Sequence, residues 1–158
     1  MKTGILTMAL WAFYSLGAMA QADKEDVRIA LALLNKNKKA LIDQAIPVDS
    51  LHKDAFWKLY NEYEDKNNNL LTERIGIIQQ YVLAYDTLQE PKAIQLAEGI
   101  QKNTQQIDEL HREYFTKFRK IVGGIDAARL YQIELYVQTA IQYKAEKDLP
   151  LIGELNKN

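Results

Sequence analysis

The amino-acid sequence predicts an all-α fold of four helices built on one long antiparallel helical hairpin. Three observations carry that reading. No stretch alternates apolar and polar residues in the period of two that a half-buried strand requires. Two long stretches instead place apolar residues at alternating steps of three and four, the signature of a helix with one buried face. Punctuation falls between helical segments, at Pro47, at Leu88–Pro91 and at Gly123-Gly124.

The hairpin is the organising element. One seam runs through Ala93, Ala97, Ile100, Thr104, Ile107, His111, Tyr114, Phe118 and Ile121. Its counterpart runs through Phe56, Tyr60, Tyr63, Asn67, Leu70, Arg74, Ile77, Tyr81 and Ala84. The triple Asn67-Asn68-Asn69 is a mediocre helix-forming run, yet the phase is kept across it, so one continuous helix is expected. Folding the seams antiparallel about Leu88–Pro91 keeps a constant register. The expected layers are Phe56–Ile121, Tyr60–Phe118, Tyr63–Tyr114, Asn67–His111, Leu70–Ile107, Arg74–Thr104 and Ile77–Ile100. Gly76 and Gly99 fall almost opposite, where absent side chains would let backbones approach. At about 1.5 Å per residue each helix is roughly 45–50 Å long.

The remaining elements come in chain order. A first amphipathic helix, about 26–46, presents Val27, Leu31, Leu34, Leu41 and Ala45 on one face, leaves Asn35–Lys39 mostly solvated, and ends at Pro47. Asp49 or Ser50 caps the second helix, about 50–86. Pro91 suits the first turn of the third, about 91–122. Gly123-Gly124 stops that helix, and Asp126 opens the fourth, about 126–147, through Leu130, Ile133, Val137 and Ile141. The apolar tail Leu149-Pro150-Leu151-Ile152 is expected to pack back on the bundle.

Ahead of these elements lies a basic start at Lys2, an uncharged apolar run from Gly4 to Leu16, and small residues at Ala18 and Ala20. That is the pattern of a secretory signal peptide, residues 1–20, cleaved after Ala20, and it is short for a membrane span. Residues 21–158 then form a single helical domain with no membrane insertion after cleavage. The whole chain has 20 basic and 21 acidic residues, and loss of Lys2 brings the balance to −2. Such a charge offers no electrostatic case for nucleic acid or an anionic membrane. With no cysteine there is neither a disulfide framework nor a lipid-modified N-terminus. A periplasmic address suits the chain best.

Little in the sequence suggests catalysis or a cofactor. After the signal the chain holds one serine, Ser50, two histidines, His52 and His111, and no cysteine, and no nucleophile–base–orienter set can be assembled. No Gly-rich phosphate loop precedes a helix. Asp108 and His111 share a face at i, i+3 spacing, but too few further ligands accompany them to predict a metal site. Asn67 facing His111 reads as a polar layer that fixes register. Arg74 is expected to reach solvent past Thr104. The aromatic residues gathered at the open end of the hairpin are the candidate functional set: Trp57, Tyr60, Tyr63, Tyr114 and Phe115, as a patch for apolar segments of other polypeptides.

Three segments resemble a known group. Phe56-Trp57-Lys58-Leu59-Tyr60-Asn61-Glu62-Tyr63 is similar to an FWxxYxxY signature, Ala127–Glu134 to an AARxxQIE segment, and Leu149–Ile152 to a closing IPLI, all found in small helical proteins like the Spy/CpxP group. Leu88–Lys92 keeps only the leucine of that group's LTxxQ motif. The resemblance implies a periplasmic helical protein, in many members an antiparallel homodimer with a cradle-shaped concave face. It implies an ATP-independent, chaperone-like role in envelope stress, binding unfolded or partner polypeptides. The second implied reading is a regulatory stress or metal sensor that contacts a membrane signalling protein.

Overall fold

The computed structural model describes residues 24–147, 149 and 151, with side chains described from Asn35 onward. The expected signal peptide, Val27, Leu31, Leu34, Pro150 and Ile152 lie outside these limits. Among the described residues the chain is all-helical, with no strand. Helix α1 spans Lys24–Ala45, α2 spans Lys53–Ala84, and α3 spans Glu90–Glu146, with a short 3-10 turn at Tyr85–Thr87 before α3.

The junctions are set by local chemistry. After α1, the Asp49 side chain accepts the backbone N–H groups of Leu51 and His52 at 2.9 and 3.0 Å, and so organises the turn into α2. The cap position of α2 is His52, with no side-chain cap hydrogen bond, so neither Asp49 nor Ser50 caps the helix as expected. Pro91 sits in the first turn of α3, where its missing N–H costs nothing. The triple asparagine lies inside α2 without a break.

Four separate helices were expected, and the described chain forms three. The difference rests on Gly123, whose φ of 80° and ψ of 173° leave helical space for one residue only. The span Glu90–Glu146 thus joins two helices across a kink at the expected glycine boundary, with no linker between them. Asp126, expected as a cap, pairs with Arg129 at 2.5 Å.

Helix α2 and the first part of α3 run in opposite directions against each other. Phe56 and Tyr60 meet Phe118, Tyr63 meets Tyr114, and Arg74 Nη1 donates to Thr104 at 3.1 Å. Toward the turn the buried face departs from the expected seam. On α2 the buried positions after Asn67 are Leu71, Arg74, Ile75 and Ile78; on α3 they are Leu96 and Asn103, with Ala97 and Thr104 exposed. A strict seven-residue repeat requires two helices to supercoil at 3.5 residues per turn. Straight helices keep 3.6, and their contact stripe drifts by about 20° per heptad, roughly half a position over two to three heptads, enough to move burial to the neighbouring residue. Stepping 3.6 from Tyr60 arrives near 71 and 78, and stepping back from Phe118 arrives near 103 and 96. Asn103, wholly buried, uses its amide to donate to the Leu70 carbonyl at 2.8 Å. Gly99 packs against Ile77, but Gly76 meets nothing within 4 Å, so the expected glycine–glycine approach does not form.

The core is concentrated at the end away from the turn. Ile42 and Ile46 at the end of α1 pack with Phe56, Tyr60 and Tyr63 of α2 and with Leu110, Tyr114, Phe118, Ala127 and Leu130 of α3.

Candidate functional site

The five aromatic candidates divide by exposure. Tyr60, Tyr63 and Tyr114 are buried, while Trp57 and Phe115 are half-buried at the margin. Trp57 stands edge-on to both Phe56 and Tyr60, with centroids 5.2 and 5.6 Å away. Its outer side borders a shallow, polar-edged cleft with Lys39, Asp43 and Asn61. Phe115 packs against Tyr131. The cavity beneath Tyr63, His111, Tyr114 and Phe115 is about 20 Å³, room for a single water and no side chain. The three tyrosines therefore serve the core in this conformation, and Trp57 and Phe115 are the members that meet solvent.

The core holds a charged cluster that a reading of the sequence missed. Lys38, Glu64 and Glu134 are 5%, 3% and 5% exposed. Lys38 Nζ donates to Glu64 Oε1 at 2.5 Å and to Glu134 Oε2 at 2.9 Å. Tyr60 and Tyr63 donate their hydroxyls to Glu134 at 2.8 and 3.1 Å. Lys38 was expected on a solvated face; it is instead the point where α1, α2 and α3 are tied together. The signal was present. Lys38 stands four residues from Leu34 and Ile42, Glu64 four from Tyr60 and three from Asn67, and Glu134 four from Leu130 and seven from Ile141. Each charge therefore occupies a seam position of its own helix, with signs that complement.

Burial opposes the charge on Lys38, but the carboxylates of Glu134 and Glu64 outweigh it and hold the ammonium above its ordinary range. For Glu64 burial dominates and raises the carboxyl, with Lys38 only partly offsetting it. One of its oxygens, Oε2, has no hydrogen-bond partner. Burial, reinforced by the nearby Glu134 charge, also pushes the Tyr60 and Tyr63 hydroxyls well above their normal range. Burial lowers His111, against the pull of Glu134 and Asp108, so its imidazole stays neutral near neutral pH. Asn67 and His111, expected as one polar layer, are both buried, and Asn67 Oδ1 and His111 Nε2 make no hydrogen bond. Among the described residues no group of three or more His, Cys, Asp or Glu is placed to hold a metal ion.

Nearer the turn, Arg74 is buried and does not reach for solvent. Its Nε and Nη2 donate to Glu146 Oε1 at 3.0 and 2.8 Å, across to the far end of α3. Glu146 borders an apolar cleft of about 320 Å³ walled by Ile77, Ile78, Tyr81, Leu96 and Ile100, with Leu149 and Leu151 along its edge. That volume lies within the range of sites that hold ligands.

The outer face of α3 beyond the kink is largely apolar, and the exposed charge on it, Arg129, is paired with Asp126. Ile125, Ala128, Gln132, Leu135, Tyr136, Thr139 and Tyr143 recur at helical spacing, and Ile125, Leu135, Tyr136 and Tyr143 are 79%, 44%, 63% and 69% exposed. Contiguous exposed apolar surface of this kind marks interaction sites more often than isolated residues do. Among the described residues no helix is long and apolar enough to cross a membrane.

Comparison with known proteins returned no matching family model, no matching curated protein and no matching solved structure.

Proposed function

We propose that this is a periplasmic, non-enzymatic polypeptide-binding protein, chaperone-like in the manner of the Spy/CpxP group, which it resembles in three short segments. In this reading the two long helices form a hairpin, the segment beyond Gly123 acts as a fourth helix, and a homodimer is the working unit. The single observation that carries the proposal is the largely apolar, exposed face of α3 from Ile125 to Tyr143, whose Arg129 is paired with Asp126. It offers other chains mainly apolar and aromatic contact, which suits weak and exchangeable binding of varied sequences. Phe115, packed against Tyr131, adds aromatic surface beside it, and Trp57 offers a second half-buried ring at the cleft with Lys39, Asp43 and Asn61. A second observation agrees with it: the buried ionisable groups are engaged with one another, as Lys38, Glu64 and Glu134 are, and not arranged around a space for a substrate.

The test is a client-aggregation assay. Light scattering from a chemically unfolded client diluted into buffer is expected to fall when stoichiometric protein is present. Scattering unchanged at that ratio ends the proposal. The regulatory alternative, a stress or metal sensor on a membrane signalling protein, predicts instead that loss of the gene alters envelope-stress expression with no damage applied.

A further inference from the structure

We propose that the cleft at the turn end of the molecule is the docking site for extended apolar polypeptide segments, and that the chain's own Leu149–Leu151 segment is its resident competitor. This rests on the polypeptide-binding reading and gives it a place and a form of regulation.

The cleft is built by two helices that leave a gap where their residues are small. Ala93 and Ala97 of α3 stand against Ile77, Ile78 and Tyr81 of α2, and about 320 Å³ remains open between them. The charged residue on its edge, Glu146, is engaged by Arg74 at 2.8 Å, so the wall presents no unpaired charge to an occupant. An uncharged apolar guest is what such a wall accepts.

The chain itself shows how a peptide would enter. Just beyond α3, Leu149 and Leu151 both border the cleft. The Tyr85 hydroxyl donates to the backbone carbonyl of Leu151 at 3.1 Å. A contact to a main-chain carbonyl is blind to side-chain identity, and apolar pockets for alternate side chains supply the preference. That division of labour is how grooves generally read extended peptides. The resident segment fits incompletely, since Leu151 remains 74% exposed beside unfilled volume. A partly seated, locally tethered segment lowers the apparent affinity for outside peptides by the fraction of time it occupies the site.

The experiment uses a fluorescein-labelled peptide with the sequence of residues 147–154, titrated by fluorescence anisotropy against the full chain and full-length variants. Leu149→Ser with Leu151→Ser, which releases the resident segment, is expected to bind the peptide about tenfold more tightly than the unaltered chain. Adding Ala97→Trp, at an exposed wall position, is expected to abolish that binding, and adding Tyr85→Phe, which removes only the hydroxyl, to weaken it severalfold. Equal affinity of the unaltered chain and the double serine variant overturns the proposal, as does binding indifferent to both Ala97→Trp and Tyr85→Phe. The aggregation assay on the same variants separates this idea from the one it rests on. Client protection insensitive to all of these substitutions removes the cleft and leaves polypeptide binding standing. Peptide capture without client protection removes the chaperone-like reading and leaves the cleft.

Discussion

Lys38 is the side chain on which the packing of α1 turns. An ammonium drawn out of water between two carboxylates is favourable only while both partners and the tyrosine donors stay in place. Lys38→Met is therefore expected to destabilise the protein by about 3–5 kcal/mol in urea unfolding, because it leaves two buried carboxylates uncompensated. Lys38→Met combined with Glu64→Gln and Glu134→Gln should recover most of the loss, since the triple variant buries no unpaired charge. If the single variant unfolds at the same urea concentration as the parent, the cluster is not holding the helices together. The residue identities were plain in the sequence, but their meeting was not. Lys38 and Glu134 lie 96 positions apart, and only the folding of α3 back past α1 brings them within 2.9 Å.

At the scale of elements, two glycines in similar helical contexts should respond oppositely. Gly76 lies inside α2, and a methyl group placed there meets nothing within 4 Å. Gly76→Ala is expected to stabilise by up to about 1 kcal/mol through reduced backbone freedom in the unfolded chain. Gly123, at φ 80° and ψ 173°, occupies a region that L-residues avoid. Gly123→Ala should cost roughly 1–3 kcal/mol, or straighten α3 and pull Leu130 and Glu134 out of register with α2. Thermal unfolding of both variants checks the pair, and a shift of the same sign in each contradicts the account. The Gly123-Gly124 stop was legible as a helix boundary. That the boundary is one residue wide was not, because the helix resumes on the strength of Ala127, Leu130 and Glu134 docking at once on the core. The seam was likewise legible at Phe56–Tyr63 and Tyr114–Phe118, and misread by one position nearer the turn, where straight helices drift off a seven-residue repeat.

For the whole molecule, the coupled ionisations set a pH limit. Lys38, Tyr60, Tyr63 and Tyr114 all have folded-state affinities for protons above their ordinary values. The unfolded chain releases these protons first as pH rises, so it then binds fewer than the folded chain, and stability must fall with pH. The stability these groups contribute is complete below about pH 10 and is lost progressively above it. Helical signal followed against temperature at pH 8 to 11.5 should show a steep drop in Tm above pH 10. The share of tyrosinate absorbance that belongs to Tyr60 and Tyr63 is expected to appear with unfolding and not before it. A Tm that stays level to pH 11.5 contradicts the buried cluster.

Period and punctuation, read along the chain, determined that this protein is all-helical, that Leu88–Pro91 is a turn, and which aromatic residues are concentrated at one end of α2. These are local properties, written in spacing of three and four and in the backbone limits of proline and glycine. Tertiary structure alone decided that Tyr60, Tyr63 and Tyr114 face inward, that Lys38 is a core residue, that Arg74 finds Glu146, and that the cleft beside Ile77 and Ala97 is bordered by the segment immediately after α3. Each of those outcomes joins residues tens of positions apart. Which face of a helix is covered depends on what arrives against it, and that is a property of the assembled fold and not of any one stretch.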